Sequence, residues 1–162
     1  MAVNSLRGLM VIWLSLLLTL CLQVMPLPDP WLVWRPDWLG LMLIYWCVVA
    51  PQRVGVFYGF ILGLLLDLIE GSPVGQNALV FSFLAYLALL LYQRMRAYAL
   101  VQQAVMVFIL LGIVQLVEQW LRTIFGPFSI NLAFLLSALI GAVLWPWLFT
   151  MLQAIRRRMS VL

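Results

Sequence analysis

Apolar residues run along this chain in long stretches, and charges fall only between them. No Asp, Glu or Arg interrupts residues 8–28 (21 residues), 54–66 (13), 71–93 (23), 97–117 (21) or 123–155 (33), and 38–52 adds a further 15. At about 1.5 Å of rise per residue, about 20 apolar residues cross a hydrocarbon layer of about 30 Å. Four of these stretches reach that length. The region from 38 to 69 is ambiguous, and Pro51-Gln52-Arg53 divides it. One continuous helix would place a proline in its interior and leave Arg53 unpaired at mid-membrane, both at a cost. A turn at these residues avoids both penalties. The pattern therefore predicts an all-α polytopic membrane protein forming a single integral membrane domain over 1–162. Its six transmembrane helices are expected near 8–27, 38–50, 54–69, 73–93, 97–117 and 130–153.

The charges give this arrangement a direction. With the N-terminus in the cytoplasm, the inner segments carry Arg7, Arg53, Arg94, Arg96, Arg156, Arg157 and Arg158, and no acid. The outer segments carry Asp29, Arg35, Asp37, Asp67, Glu70, Glu118 and Arg122. Seven of nine arginines then lie inside and all five acids outside, as the positive-inside rule expects for short loops. Five spans would move either Arg7 or the Arg156–Arg158 cluster to the wrong side, so both termini are expected in the cytoplasm. Aromatic residues mark the interfaces: Trp31, Trp34 and Trp38 at the first outer loop, Trp120, Phe125 and Phe128 at the third. Tyr92, Tyr98, Trp145 and Trp147 fall at inner ends, where amphipathic rings prefer the headgroup layer. The first apolar run is long for a signal peptide and lacks an Ala-x-Ala site, so it is read as a retained span.

Composition narrows the chemistry. Apolar residues are 67% and charged residues 9% of the chain, with a mean hydropathy of +1.15. A soluble fold of this size leaves too much of its surface in water to hide such a composition. With no His and no Lys, imidazole bases, histidine metal sites and Schiff-base lysines are excluded. Cys21 and Cys47 read as small hydrophobes rather than a disulfide or metal pair. The net charge of +4 sits at the ends of apolar runs and forms no face for nucleic acid.

The most informative stretch lies between residues 55 and 75. Gly55, Gly59 and Gly63 recur every fourth residue, and each such step drifts only about 40° around a helix. Small residues at this spacing let helix backbones approach closely in lipid, so this face is expected against another helix, in the chain itself or in a partner. Asp67 continues the series, either as a solvated acid at the membrane surface or as one directed into the bundle or a partner. Gly71 and Gly75, flanking Pro73, are expected to shape an outer turn, and Glu70 to be surface. Gln115, Glu118, Gln119 and Arg122 form a polar stripe, read chiefly as an exposed helix end with a Glu–Arg pair. Ser129 or Asn131 is expected to cap the last helix, and Pro146 to kink it. The Arg156–Arg158 cluster is expected on anionic lipid headgroups. No convergent acid–base pair for catalysis and no cofactor or metal motif is found in the sequence. A small-solute binding or transport role stays open, and would use an outward cavity near Trp31, Trp34, Asn77 or Gln115.

Several motifs together resemble a known family. Residues 22–29, Leu-Gln-Val-Met-Pro-Leu-Pro-Asp, and Arg35-Pro36-Asp37-Trp38 resemble the first outer loop of MreD, the bacterial rod shape-determining membrane protein. Tyr45-Trp46, Pro51-Gln52-Arg53-Val54, Gly59-Phe60, Gly63, Leu66-Asp67-Leu68, Gly71-Ser72 and Gly75 continue the likeness. So does Gly141-Ala142-Val143-Leu144-Trp145-Pro146-Trp147. The resemblance implies a non-enzymatic component of the cell-elongation machinery in the bacterial cytoplasmic (inner) membrane. It implies binding to MreC, a single-span protein, and through it a link between the MreB cytoskeleton and peptidoglycan synthesis by RodA and its partner transpeptidase. It also implies a six-helix fold similar to the substrate-binding subunits of energy-coupling-factor transporters. That likeness keeps open a second function, the binding of a small solute or a lipid-linked cell-wall precursor.

Overall fold

The computed structural model describes residues 2–26, 35–125 and 133–159, and among these it contains helices and turns but no strand. Six helices follow one another: α1 (Ala2–Val24), α2 (Trp38–Val49), α3 (Val56–Glu70), α4 (Gln76–Ala97), α5 (Leu100–Phe125) and α6 (Ala133–Met159). Three of them, α4, α5 and α6, are long and apolar enough to cross a membrane. The expected features at Asp29, Trp31, Trp34, Phe128, Ser129 and Asn131 lie outside the described residues, as do the side chains of Arg7, Phe125 and Arg158.

The helix ends follow from local chemistry. Asp37 caps α2 by accepting the Gly40 N–H at 2.9 Å, which satisfies one of the first turn's free donors. Pro51 disfavours helical backbone at Ala50, whose φ of −131° ends α2. The chain then reverses through Arg53 and Val54, both of which donate backbone N–H to Ala50 O at 3.0 Å. Gly71 closes α3 in the left-handed region at φ 67°, a conformation glycine adopts without a Cβ penalty. Gln102 turns back to accept the Ala99 N–H at 3.3 Å, an amide version of the capping box at the start of α5. Helices α4 and α5 run past the expected ends at 93 and 117. Charge ends burial in hydrocarbon but not the helix itself: Arg94 and Arg96 complement the C-terminal dipole of α4, and Glu118 pairs with Arg122 one turn on.

Helix α2 is the axis of the bundle. Every residue from Leu39 to Val48 is buried, so it presents no polar face. It packs on α1, α4, α5 and α6, while α3 pairs closely with α4 and α5 with α6, α4 packs on α5, and α1 touches α3 only lightly. Trp46 donates its indole N–H to Ser15 Oγ at 2.8 Å and ties α2 to α1. Arg96 reaches from the end of α4 to Val49 O at 3.3 Å. At the opposite end Arg35 donates to Leu22 O at 3.0 Å, and Gln23 Oε1 accepts the Trp38 N–H at 3.1 Å. Pro36, itself buried, supplies the carbonyl that takes the same N–H at 2.9 Å.

Two expectations from the sequence need correction here. Trp145 is no interfacial anchor. It is 0% exposed and donates its indole N–H to Gln103 Oε1 at 3.3 Å, because its position on α6 turns inward against α5. Two residues on, Trp147 is 64% exposed, as a ring on the outer face of the bundle should be. Cys21 is exposed rather than a core hydrophobe, whereas Cys47 is buried. Helix α6 continues through Pro146 to Met159 as one element.

Candidate functional site

Among the described residues, Asp67 stands at the centre of a polar arrangement set in largely apolar helices. Asp67 sits in the last turn of α3, 1% exposed. Its Oδ1 accepts from Ser72 Oγ at 2.7 Å and from the Asn77 N–H at 2.9 Å. Its Oδ2 accepts from the Gly75 N–H at 2.9 Å and the Ala78 N–H at 3.3 Å. All four partners are donors, so the carboxylate takes up the free N–H groups at the start of α4, where the helix dipole favours negative charge. Gly75, at φ 102°, brings its N–H into this fan from a left-handed conformation. Asn77 Nδ2 adds bonds to Ser72 Oγ at 3.4 Å and Glu70 Oε2 at 3.5 Å. Asp67 is therefore a cap reaching from one helix to the next. It is neither a solvated surface acid nor a group aimed at a partner.

The glycine face is likewise occupied within the chain. A Cβ at Gly63 would meet Asn77 O and would fall 2.5 Å from Ala78 Cα. At Gly59 it would meet Phe81 O and fall 2.8 Å from the Phe81 carbonyl carbon. The backbones of α3 and α4 touch along this face, so Gly59 and Gly63 cannot also receive a partner's helix. Gly55 does not share the contact. It precedes α3, and nothing lies within 4 Å of where its Cβ would stand. Gly71 and Gly75 bracket the turn that carries Ser72 and leads into the α4 N–H groups that Asp67 accepts.

The ends of the bundle differ in charge. One end gathers Arg35, Asp37, Glu70, Glu118 and Arg122 within electrostatic range of one another. Burial raises the Asp37 carboxyl from its ordinary value to about 6, opposed by the Gly40 N–H and reinforced by Glu118 and Glu70. Burial raises Glu70 too, with Arg122 opposing. Glu70 is nonetheless an exposed residue, and the Arg122 Nη2–Glu118 Oε1 ion pair spans 2.6 Å across one helical turn. At the other end Arg53, Arg96 and Arg156 surround one cavity together with Pro51 and Gln52.

Buried amides hold the interior together, and one of them, Gln103, was not singled out from the sequence. Gln103, buried in α5, donates its Nε2 to Met95 O at 2.8 Å and Tyr98 O at 3.1 Å, satisfying the last carbonyls of α4. The signal available was the amide pair Gln102-Gln103 early in a charge-free run. Gln115 donates to Ser137 Oγ at 3.4 Å, and Ser137 in turn donates to Arg35 O at 2.7 Å. Asn77 and Gln115 thus bond within the chain rather than facing an outward cavity. Among the described residues no cluster of His, Cys, Asp and Glu could hold a metal ion.

Comparison with known proteins decides the family. The model of the rod shape-determining protein MreD matches residues 5–155. The rod shape-determining protein MreD of Haemophilus influenzae is 33% identical over 145 residues, covering 86% of each chain. The chain belongs to the rod shape-determining MreD family. Its helices therefore serve a cell-shape protein, and three of them are apolar and long enough for a membrane. No solved structure matches the chain. The matched residues include those of the Asp67 cap and the α3–α4 glycine contact, and leave out the first residues of α1 and the last of α6.

Proposed function

We propose that this chain is a non-enzymatic scaffold of the cell-elongation machinery. In this reading it crosses the bacterial cytoplasmic membrane six times with both ends inside, and binds the membrane-spanning helix of an MreC-like protein. Through that partner it positions a RodA-like glycosyltransferase and its transpeptidase relative to an MreB-like cytoskeleton. The family match along nearly the whole chain carries the proposal. The segregation of charge supports the topology: Arg53, Arg96 and Arg156 meet at one end, and Asp37, Glu70 and Glu118 at the other. The 12 residues of α2 give only about 18 Å of helix, short of a bilayer, yet α2 is sheathed by other helices and need not match the lipid thickness. On this reading the fold is of the energy-coupling-factor substrate-subunit type.

Because α4 covers Gly59 and Gly63, the partner helix must meet another surface. The exposed side of α3, with Phe57 and Phe60 both exposed, offers large apolar side chains about one turn apart. Purification of the tagged protein from its native membrane, with identification of every co-eluting protein, tests the proposal. An MreC-like protein should co-elute, and its recovery should fall on Phe57→Ala/Phe60→Ala substitution. Absence of any such partner, or unaided turnover of a cell-wall precursor by the pure protein, would refute it. Reporter fusions at residue 53 test the topology, and a periplasmic location there would overturn it.

A further inference from the structure

Two cavities meet at Arg156, and their chemistry is that of the two parts of one molecule. The first is a groove of about 370 Å³ between α1 and α6, floored by α2. Val11 and Leu18 of α1, Met42 of α2 and Met151 of α6 are among its walls, and Arg156 stands at one end. The second is the cavity of about 380 Å³ at the α2–α3 turn, lined by Arg53, Arg96 and the same Arg156. No acidic residue lines either cavity. We infer that this composite site binds an acidic phospholipid, one acyl chain lying in the groove and the phosphate among the three arginines.

Orphaned donors mark where the headgroup belongs. Arg53 Nη1 is buried and has no hydrogen-bond partner. Tyr45, 1% exposed and lining the groove, has a buried hydroxyl with no partner either. Arg156 lies close enough to Tyr45 to act on it electrostatically. A buried donor left unpaired costs free energy, so a ligand bearing several acceptor oxygens is favoured at this point. The C-termini of α2, α4 and α6 converge here, and each contributes about half a negative charge. Three full positive charges exceed that total, so the cavity still attracts an anion. The groove is walled almost entirely by apolar side chains and ends at a cation, the same order of surroundings that an acyl chain and its phosphate require.

The test uses the purified full-length protein in detergent, with its melting temperature followed on addition of phosphatidylglycerol, phosphatidylcholine or inorganic phosphate. Phosphatidylglycerol at saturating levels should raise the melting temperature by about 5–10 °C, and the other two additives should leave it nearly unchanged. Arg53→Gln and Arg156→Gln should each weaken phosphatidylglycerol binding about fivefold. Leu18→Trp, which fills the groove, should weaken it while leaving the arginines in place. Equal stabilisation by phosphatidylcholine would overturn the inference, because charge would not be read. Equal stabilisation by inorganic phosphate, insensitive to Leu18→Trp, would replace the lipid by a free anion and so overturn it as well. Should the arginine variants fail to accumulate, native mass spectrometry of the unaltered protein with both lipids decides. Retention of phosphatidylglycerol over phosphatidylcholine supports the site, and indifference refutes it. None of these readouts depends on an MreC-like partner.

Discussion

Replacing Asp67 by alanine should cost the fold itself rather than a docking surface. The carboxylate satisfies the Gly75, Asn77 and Ala78 N–H groups and the Ser72 hydroxyl, and Asn77 and Ala78 are buried. Each buried N–H left without an acceptor costs about 1–3 kcal/mol, and losing a helix cap typically costs about 1 kcal/mol. These terms overlap, since the orphaned N–H groups are the cap, and removing a buried carboxylate recovers part of its own desolvation. A net loss of about 3 kcal/mol is expected, which lowers the melting temperature by about 6–12 °C for a chain of this size. Asp67→Asn should recover little. An amide offers one oxygen and must turn its NH₂ toward N–H donors that both carboxylate oxygens now serve. Glu70→Ala, at an exposed site three residues on, should change stability by no more than about 0.5 kcal/mol. Thermal melts in detergent and abundance in the membrane fraction give the readout. If Asp67→Ala melts within 2 °C of the unaltered protein but loses partner recovery (2 °C being about the effect of 0.5–1 kcal/mol), the cap assignment is wrong and the acid faces a partner.

Three further outcomes follow from the same geometry. Gly63→Ala should destabilise by about 2 kcal/mol or more, because its Cβ would press on α4 backbone, whereas Gly55→Ala should be neutral within about 0.5 kcal/mol; the two melts compared side by side check this. Asp37 holds its proton more tightly folded than unfolded, so its contribution is complete below about pH 4 and is lost as pH rises through 6. The melting temperature should fall by about 4–8 °C between pH 4.5 and pH 8, and Asp37→Asn, which keeps an acceptor for Gly40, should flatten that slope. Trp145→Ala should cost about 3–5 kcal/mol as a core deletion, while Trp147→Ala should cost under about 1 kcal/mol in detergent; equal effects would deny their opposite orientations.

The backbone reversal at Pro51-Gln52-Arg53 and the turn at Gly71–Gly75 were legible because both rest on local rules: what precedes a proline, and where a left-handed residue is needed. The glycine spacing correctly marked a close helix contact, yet it could not say whether the other helix belonged to the chain. The central place of α2 was invisible. A helix that is apolar on every side has no amphipathic stripe, so its periodicity cannot separate burial in protein from exposure to lipid. Trp145 was misplaced for a related reason. Near an inner end, a tryptophan suits the headgroup layer by composition, and only the rotation of α6 against α5, seen in the bond to Gln103, turns it inward. Asp67 stood out as suspicious, but its role depended on donors 5 to 11 residues downstream converging on it.

The cap from α3 to α4 has a consequence for biogenesis. Until residues 72–78 emerge and fold back, a newly made α3 carries a carboxylate without its donors and a glycine groove without its filler. The two helices are thus suited to enter the bilayer as a hairpin, each supplying what the other lacks. A nascent chain halted between them should be recognised as unfinished and degraded, whereas one halted after residue 97 should persist.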